Sequence, residues 1–375
     1  MTEDHDIDDG AGGAGNLDDY KAKRDFARTG EPQGELRPSA DGEPLRFVIQ
    51  EHDATAMHWD LRLEHDGSLR SWAVPKGIPL DPKQNRFAVR TEDHPFEYLE
   101  FEGTIPKGEY GAGTMRIWDR GTFELEKWRD DEVMFVLHGE RVSGRYVLFK
   151  LDKKGEPESN KNWMLHRMDP PADPTREPMP TAIESMQTVA SEALPADDGW
   201  AFEPDWGGMR MLAFAEGGRI RLSDGAGADL TAGFPEFARL GRALGSLQVV
   251  LDGEIVALDS GRPSPARLAE REQLVRDGHK ITQKTIDGSP VSYVIFDLVW
   301  LDGHPATPLP YSERRRLLEK LALDGAAWQT QRAYLQGGAL LAGAREQGLD
   351  GVVAKRLDSP YEPGEATGAW LRIPA

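Results

Sequence analysis

Residues 52–62 read His52-Asp53-Ala54-Thr55-Ala56-Met57-His58-Trp59-Asp60-Leu61-Arg62, and the period of this stretch is two. Successive side chains of a β-strand alternate faces, so His58, Asp60 and Arg62 project together while Trp59, Leu61 and Leu63 project to an apolar side. His52 lies one short turn upstream. Two imidazoles and a carboxylate suit a borderline divalent transition metal, and an arginine one step along the same face suits a phosphate oxygen. A lone histidine on a strand is ordinarily a surface or hydrogen-bonded residue, and a lone Asp–Arg pair contributes little. Here four polar groups coincide on one face of a well-patterned strand, which favours a metal site. The rival arrangement is the two-histidine, one-carboxylate iron site of oxygenases. His94 follows closely for that geometry, and the nearby cations favour a phosphate over a keto acid.

A second strand is expected over residues 86–94, Arg-Phe-Ala-Val-Arg-Thr-Glu-Asp-His. Alternation puts Arg86, Ala88, Arg90, Glu92 and His94 on one face, with Phe87 and Val89 opposite. If the two polar faces meet, the pocket gains a cation, a carboxylate and a third imidazole. Between them, Ser71-Trp72-Ala73-Val74-Pro75-Lys76-Gly77 ends in a turn whose Lys76 is a candidate phosphate contact. Tyr98 is a core, rim or substrate-facing aromatic.

The segments HDATAMHWDLRLEHDG, SWAVPKG, RFAVRTEDHPFEYLEFEGTIPKGEYGAGT and WDRGTFE, spread over about residues 46–168, resemble the 3′-phosphoesterase domain of bacterial DNA ligase D, an enzyme of bacterial end joining. The resemblance implies a small closed β-barrel that uses a divalent metal, typically manganese, to clean DNA primer 3′ ends. It would remove a 3′-terminal ribonucleoside to leave a 3′-phosphate, then the phosphate to leave a hydroxyl. Carried over residue by residue, it implies that His52, His58 and Asp60 hold the metal and that Arg62 and His94 engage the scissile phosphate. Arg86, Glu92, Lys76, Asp93 and Tyr98 would shape or support the site.

The chain has 375 residues, enough for two or three domains, and a net charge of −19. Residues 1–20 hold seven acidic residues and no Lys or Arg, and residues 1–40 read as a disordered acidic tail. The phosphoesterase-like part, 41–168, is close to charge balanced, so a basic pocket there can still bind DNA ends in a salt-sensitive way. No apolar run is long enough to span a membrane and Met-Thr-Glu-Asp-His-Asp at the N-terminus is no signal peptide, so a cytoplasmic location is expected. The absence of cysteine excludes disulfides, thiolate nucleophiles and cysteine-based zinc sites.

Residues 169–180, Asp-Pro-Pro-Ala-Asp-Pro-Thr-Arg-Glu-Pro-Met-Pro, read as a linker. Beyond it, apolar runs such as Val249-Val250-Leu251 and Val294-Ile295-Phe296 alternate with helical stretches such as 311–322, a mixed α/β pattern. The whole chain is thus expected to be an α+β multidomain protein, a barrel followed by a second domain over 181–375. Leu251-Asp252-Gly253-Glu254-Ile255-Val256, Phe296-Asp297-Leu298 and Asp350-Gly351-Val352-Val353-Ala354-Lys355 resemble motifs of the nucleotidyltransferase domain of ATP-dependent DNA ligases, an ATP-grasp-like core. The resemblance implies a nucleotide pocket with Glu254 on the ribose or metal side, Phe296 stacked on adenine and Lys355 on phosphate.

Where that family has Glu-x-Lys-x-Asp-Gly, this chain has Glu203-Pro204-Asp205-Trp206-Gly207-Gly208. A carboxylate at Asp205 lacks the amine that attacks the α-phosphate of ATP and adds a repelling charge. The family's Arg-Asn-Gly aligns with Gly225-Ala226-Gly227, its last motif falls on Arg372 and Pro374, and the sequence stops at Ala375 without a C-terminal OB-fold. The expectation is a pseudo-ligase domain with a vestigial pocket at Glu254, Phe296 and Lys355. The alternatives are that Lys355 or Lys284 takes the nucleophile role and leaves residual ligase activity, that both halves form a non-catalytic repair scaffold, or that the phosphoesterase acts on something other than DNA. Expected partners are DNA primer–template 3′ ends, with end-binding Ku and a separate ligase as further candidates, and no membrane.

Overall fold

The computed structural model describes residues 15–37, 42–151, 161–259 and 261–375. The chain divides into two compact units, Met1–Arg176 and Glu177–Ala375. Among the described residues no helix is long and apolar enough to cross a membrane.

The first unit is built on nine antiparallel strands: β1 (Leu45–Asp53), β2 (His58–His65), β3 (Ser68–Val74), β4 (Arg86–Arg90), β5 (Gly103–Ile105), β6 (Gly113–Trp128), β7 (Glu132–Gly139), β8 (Ser143–Lys150) and β9 (Asn162–Arg167). Their order is β1-β2-β3-β4-β9-β8-β7-β6-β5, and β6 also pairs with β1, so eight of them close a barrel and β5 rides on the end of β6. Strand β6 manages this because it is 16 residues long and pairs with β1 and β7 along its length. Closure leaves no free barrel edge. The β2–β3 turn is Asp66-Gly67, both at positive φ (48° and 80°), the conformation that suits the twist of a two-residue hairpin.

Every second side chain fills the barrel. Phe47, Ile49, Trp59, Leu61, Leu63, Trp72, Val74, Phe135, Leu137, Leu148 and Leu165 form one buried cluster. The opposite face of β1 to β3 is covered as well, since Val48 and Leu69 belong to a second cluster with Leu17, Tyr20, Phe96 and Tyr98. Residues 15–37 supply part of that cover. The expectation of a disordered tail over 1–40 therefore fails for 15–37: a short helix, Asp18–Ala22, drives Tyr20 into the cluster with no exposed surface. Acidic composition was outweighed by the apolar area that Leu17, Tyr20 and Phe26 bury. Residues 1–14 lie outside the described residues.

The expected strand over 86–94 is also corrected. Strand β4 ends at Arg90, and the face of Arg86 and Ala88, though it alternates with Phe87 as expected, turns to the barrel interior and does not meet the face of His58 and Asp60: Phe87 is 42% exposed, while Arg86 and Ala88 are buried. Register shows why. Trp72 pairs with Leu61 on one side and Arg90 on the other, so Arg90, Ala88 and Arg86 share the interior face with Leu61.

In the second unit a central sheet has the order Arg219–Ser223, Met209–Glu216, Val249–Asp259, Val291–Leu301, His304–Pro305. A four-stranded sheet runs Val189–Ala190, Trp370–Pro374, Gly351–Arg356, Trp200–Asp205. The central strands are buried on both faces, which accounts for their unbroken apolar runs. Leu251, Ile255 and Tyr293 pack with Phe237, Leu240, Leu268 and Leu318 from helical segments. Leu212, Phe214, Val250 and Phe296 pack the other way, against Tyr361 and Trp370.

Removing the Tyr20 ring should release the segment around it without opening the barrel. We expect Tyr20→Ala to speed tryptic cleavage at Lys21, Lys23 and Arg24 by roughly an order of magnitude, with an unchanged far-ultraviolet dichroism spectrum. Unchanged cleavage kinetics would show that the ring does not anchor the segment.

Candidate metal and phosphate site

Strands β1 and β2 place His52 directly opposite His58. Asp60 follows two residues on, so the three side chains share the outer face of the barrel wall. His52 Nδ1 lies 3.7 Å from Asp60 Oδ2, and His58 Nε2 lies 3.8 Å from Asp60 Oδ1. The ligand atoms of all three fall within 4.8 Å of one another, the one such group among the described residues. The tautomers are fixed by carbonyls, which can only accept. His52 Nε2–H donates to Gly111 O at 2.9 Å, and His58 Nδ1–H donates to Ala56 O at 2.9 Å. Each imidazole therefore turns its lone pair toward Asp60, the arrangement in which a second hydrogen bond orients a metal ligand. Gly111 holds its carbonyl there at φ 75°. This donor set fits a divalent transition metal.

Asp60 is buried, which alone would raise its pKa. The Arg62 guanidinium overcomes burial and holds the carboxyl well below the usual range. Arg62 is itself almost fully buried and largely committed: Nη2 donates to Asp60 Oδ2 at 2.9 Å, Nε to Gln50 Oε1 at 2.7 Å and Nη1 to Ser71 Oγ at 3.0 Å, and the guanidinium lies 4.7 Å over the Tyr98 ring. It orients Asp60 as much as it could meet a phosphate.

His94 reaches the same place without a strand. An isolated bridge to Leu69 fixes its backbone. Its Nδ1–H donates to Glu92 O at 2.9 Å, and its ring meets Tyr98 edge-on at 4.6 Å. Burial first, then the charges of Arg62 and Arg24, press its pKa well below the ordinary histidine value, so the ring is neutral and its Nε2 lone pair faces the Arg24 guanidinium.

Arg24 is the residue that sequence reasoning missed. Its Nη2 stands 3.4 Å from His94 Nε2, Nη1 donates to Glu92 Oε1 at 2.9 Å, and Nε to Glu31 Oε1 at 2.6 Å. Lys23 adds a second contact to Glu92 at 3.0 Å, and Glu31 accepts from the Tyr98 hydroxyl. The signal was present in Tyr20-Lys21-Ala22-Lys23-Arg24-Asp25-Phe26, where an acidic run turns basic and aromatic. Asp93 anchors the turn before His94 through Arg70 at 3.0 Å and Arg90 at 2.5 Å. Lys76 is exposed in the turn after Val74, which pairs with Trp59 beside His58. Arg86 is not brought into the constellation, because it projects from the interior face of β4, and no contact ties Lys76 to the constellation among the described residues.

The second unit holds a cavity of about 250 Å³ whose lining includes Glu203, Asp205, Arg210, Glu254, Phe296, Lys355, Trp370 and Arg372. Glu254, Phe296 and Lys355 are thus gathered. Each cation in it is matched by acid: Lys355 Nζ to Glu203 Oε2 at 2.8 Å, Arg210 to Asp252 at 2.5 Å, and Arg372 to Asp205 at 2.5 Å and Asp350 at 3.1 Å. Lys355 Nζ is 4.2 Å over Phe296 and 4.1 Å over Trp370, with almost no exposed surface. Burial and the neighbouring Asp205 charge push the Glu254 carboxyl up to about 7, against the amides of Gly208 and Trp206 that bind it.

Residues 50–150 match the family described as the DNA ligase D 3′-phosphoesterase domain, and residues 180–373 match the ATP-dependent DNA ligase domain. The multifunctional non-homologous end joining protein LigD of Mycolicibacterium smegmatis is 40% identical over 96% of this chain and 45% of its own length. That of Pseudomonas aeruginosa is 34% identical over 95% of this chain and 47% of its own. The chain spans about half the length of these relatives. A solved structure of mycobacterial DNA ligase D complexed with ATP and MES is 33% identical over 51% of this chain and 60% of that one, with a TM-score of 0.44.

Glu254 generates a pH prediction. Because its folded pKa is raised, the folded protein keeps a proton that the unfolded chain releases near 4.5, so stability falls as pH rises from about 4.5 to about 7. Glu254→Gln should remove a loss on the order of a few kcal/mol from urea denaturation compared across that window. An unchanged slope would place the titration elsewhere.

Proposed function

Since the chain belongs to the DNA ligase D family of end-joining proteins, joining a 3′-phosphoesterase domain to an ATP-dependent ligase domain, we propose that it is a metal-dependent phosphoesterase that clears DNA 3′ ends and that its ligase-like half does not seal them. The observation that carries this reading is the convergence of His52, His58 and Asp60 with a neutral His94 and the Arg24 guanidinium on one barrel face. His52, His58 and Asp60 would hold Mn²⁺ or another divalent transition metal, which when bound polarises a phosphate oxygen and acidifies water.

The remaining chemistry belongs to side chains. Arg62 keeps Asp60 ionised and correctly turned. Arg24 presents a guanidinium to phosphate oxygens and offsets the charge that develops during transfer. A phosphate arriving beside Arg24 brings negative charge, which raises the affinity of His94 Nε2 for a proton. That proton is then available to the departing oxygen. Glu92, gripped by Lys23 and Arg24, keeps the N-terminal segment against the site.

In the ligase-like half, Asp205 stands where the family's motif calls for the nucleophilic lysine, and it is tied to Arg372. Lys355 does not replace that amine: burial lowers its pKa, but Glu203 holds it and two aromatic rings enclose it. Lys284 lies on the helix Gln283–Gly288 and does not line the cavity.

A primer–template bearing a 3′-phosphate or a 3′-terminal ribonucleotide, incubated with the full chain and manganese, should be trimmed to a 3′-hydroxyl. His58→Ala, at the half-buried mouth of the triad, should lower the rate by at least roughly a hundredfold and chelation should abolish it. Retained activity in His58→Ala would overturn the site. Incubation with labelled ATP and magnesium should leave no covalent label that survives denaturing electrophoresis at neutral to alkaline pH; a labelled band would restore ligase chemistry to the second half.

A further inference from the structure

A second cavity in the ligase-like unit, about 550 Å³, lies outside both sites described above. It shares Pro204 and Gln331 with the smaller cavity as a common wall. Its size falls in the range of about 300–1,000 Å³ usual for small-molecule sites. The lining combines two aromatic rings, Trp206 and Tyr334, with two guanidinium groups, Arg315 and Arg332.

These groups are placed, and part of their capacity is unspent. Trp206 is fixed at its edge, since Nε1–H donates to Gln331 Oε1 at 2.6 Å. The backbone of Tyr334 makes two hydrogen bonds with Phe202, each 2.8 Å, and leaves its ring 42% exposed at the rim. Arg315 is 8% exposed and committed: Nε donates to Glu319 at 2.8 Å, Nη2 to Gln331 O, and Nη1 pairs with Glu203 at 3.6 Å. Arg332 is exposed and makes no ion pair among the described residues. Asp324 adds an acceptor at the rim.

We propose that this cavity binds a nucleoside monophosphate unit. An aromatic base stacks on Tyr334 and Trp206, because every base offers a π face to such a platform. The phosphate takes the forked donors of Arg332, with the Arg315 charge behind it. Asp324 accepts from a sugar hydroxyl or a base amino group. A free nucleotide and the phosphorylated end of a nucleic-acid strand share this chemistry. The site requires neither the phosphoesterase reading nor the pseudo-ligase reading.

The test is calorimetric titration of the full chain with deoxyadenosine monophosphate and with deoxyadenosine. Tyr334→Ala and Arg332→Ala alter exposed side chains, so both proteins should remain folded, which thermal unfolding checks. The monophosphate should bind, and each substitution should weaken it by roughly fivefold or more. Arg372→Ala, in the smaller cavity, should leave it unchanged. Competition by a 5′-phosphorylated thymidine tetranucleotide supports the proposal with a strand end as the source. Failure of that competitor beside intact monophosphate binding supports it with a free nucleotide. The proposal is overturned if the monophosphate does not bind at millimolar concentration, if the unphosphorylated nucleoside binds as tightly, or if Arg372→Ala abolishes binding while the other two variants retain it.

Discussion

Strand His58–His65 is buried on both faces, and a strand so placed cannot leave its polar side chains to water. Trp59, Leu61 and Leu63 meet the requirement by filling the barrel. Asp60 and Arg62, on the other face, must satisfy each other and recruit Gln50 and Ser71 from the flanking strands. That exchange fixes Asp60 as an ionised carboxylate between two imidazoles whose tautomers are set by backbone carbonyls. The metal-ready geometry is therefore a consequence of desolvation. The same closure leaves His94 neutral, because two nearby guanidinium groups oppose a third positive charge in a dry site.

The covering layer is as much a part of the site as the barrel. Tyr20 packs edge-on to both His94 and Tyr98, and the chain that follows delivers Arg24 and Glu31. Without this layer, the polar face of β1 and β2 would be a solvated surface and its charge pairs would be weak. With it, one segment supplies apolar cover, a cation beside His94 and the acid that caps the Tyr98 hydroxyl.

The ligase-like unit shows the opposite use of charge. Its cavity keeps the aromatic and cationic groups of a nucleotide pocket, but Arg372 is drawn to Asp205 and Asp350, and Lys355 to Glu203. Each such pair neutralises a cation that lines the cavity. Asp205 also raises Glu254, so two carboxyl groups that line one cavity are coupled in their protonation. The larger neighbouring cavity, in contrast, retains in Arg332 a guanidinium group that makes no ion pair among the described residues.

Alternation in 52–62 was enough to pair His58, Asp60 and Arg62 and to set Trp59, Leu61 and Leu63 against them, because period two is a local property of the chain. The broken Glu203–Gly208 motif and the apolar central strands at 249–251 and 294–296 were equally legible, since each depends on residue type at fixed spacing. Four matters were decided only in three dimensions. Strand β4 turned Arg86 and Ala88 inward because register with Trp72, a long-range property, sets which face a short strand shows. His94 arrived through a bridge to Leu69 and not through strand continuation. Arg24 joined the site from a segment whose composition read as a tail, because buried area against Val48, Phe96 and Tyr98 outweighed its acidity. Arg62 spent its donors on Asp60, Gln50 and Ser71. The sequence by itself determined which groups a face would carry; the fold decided which faces met, since partners distant in the chain are chosen by packing and desolvation and leave no local period to read.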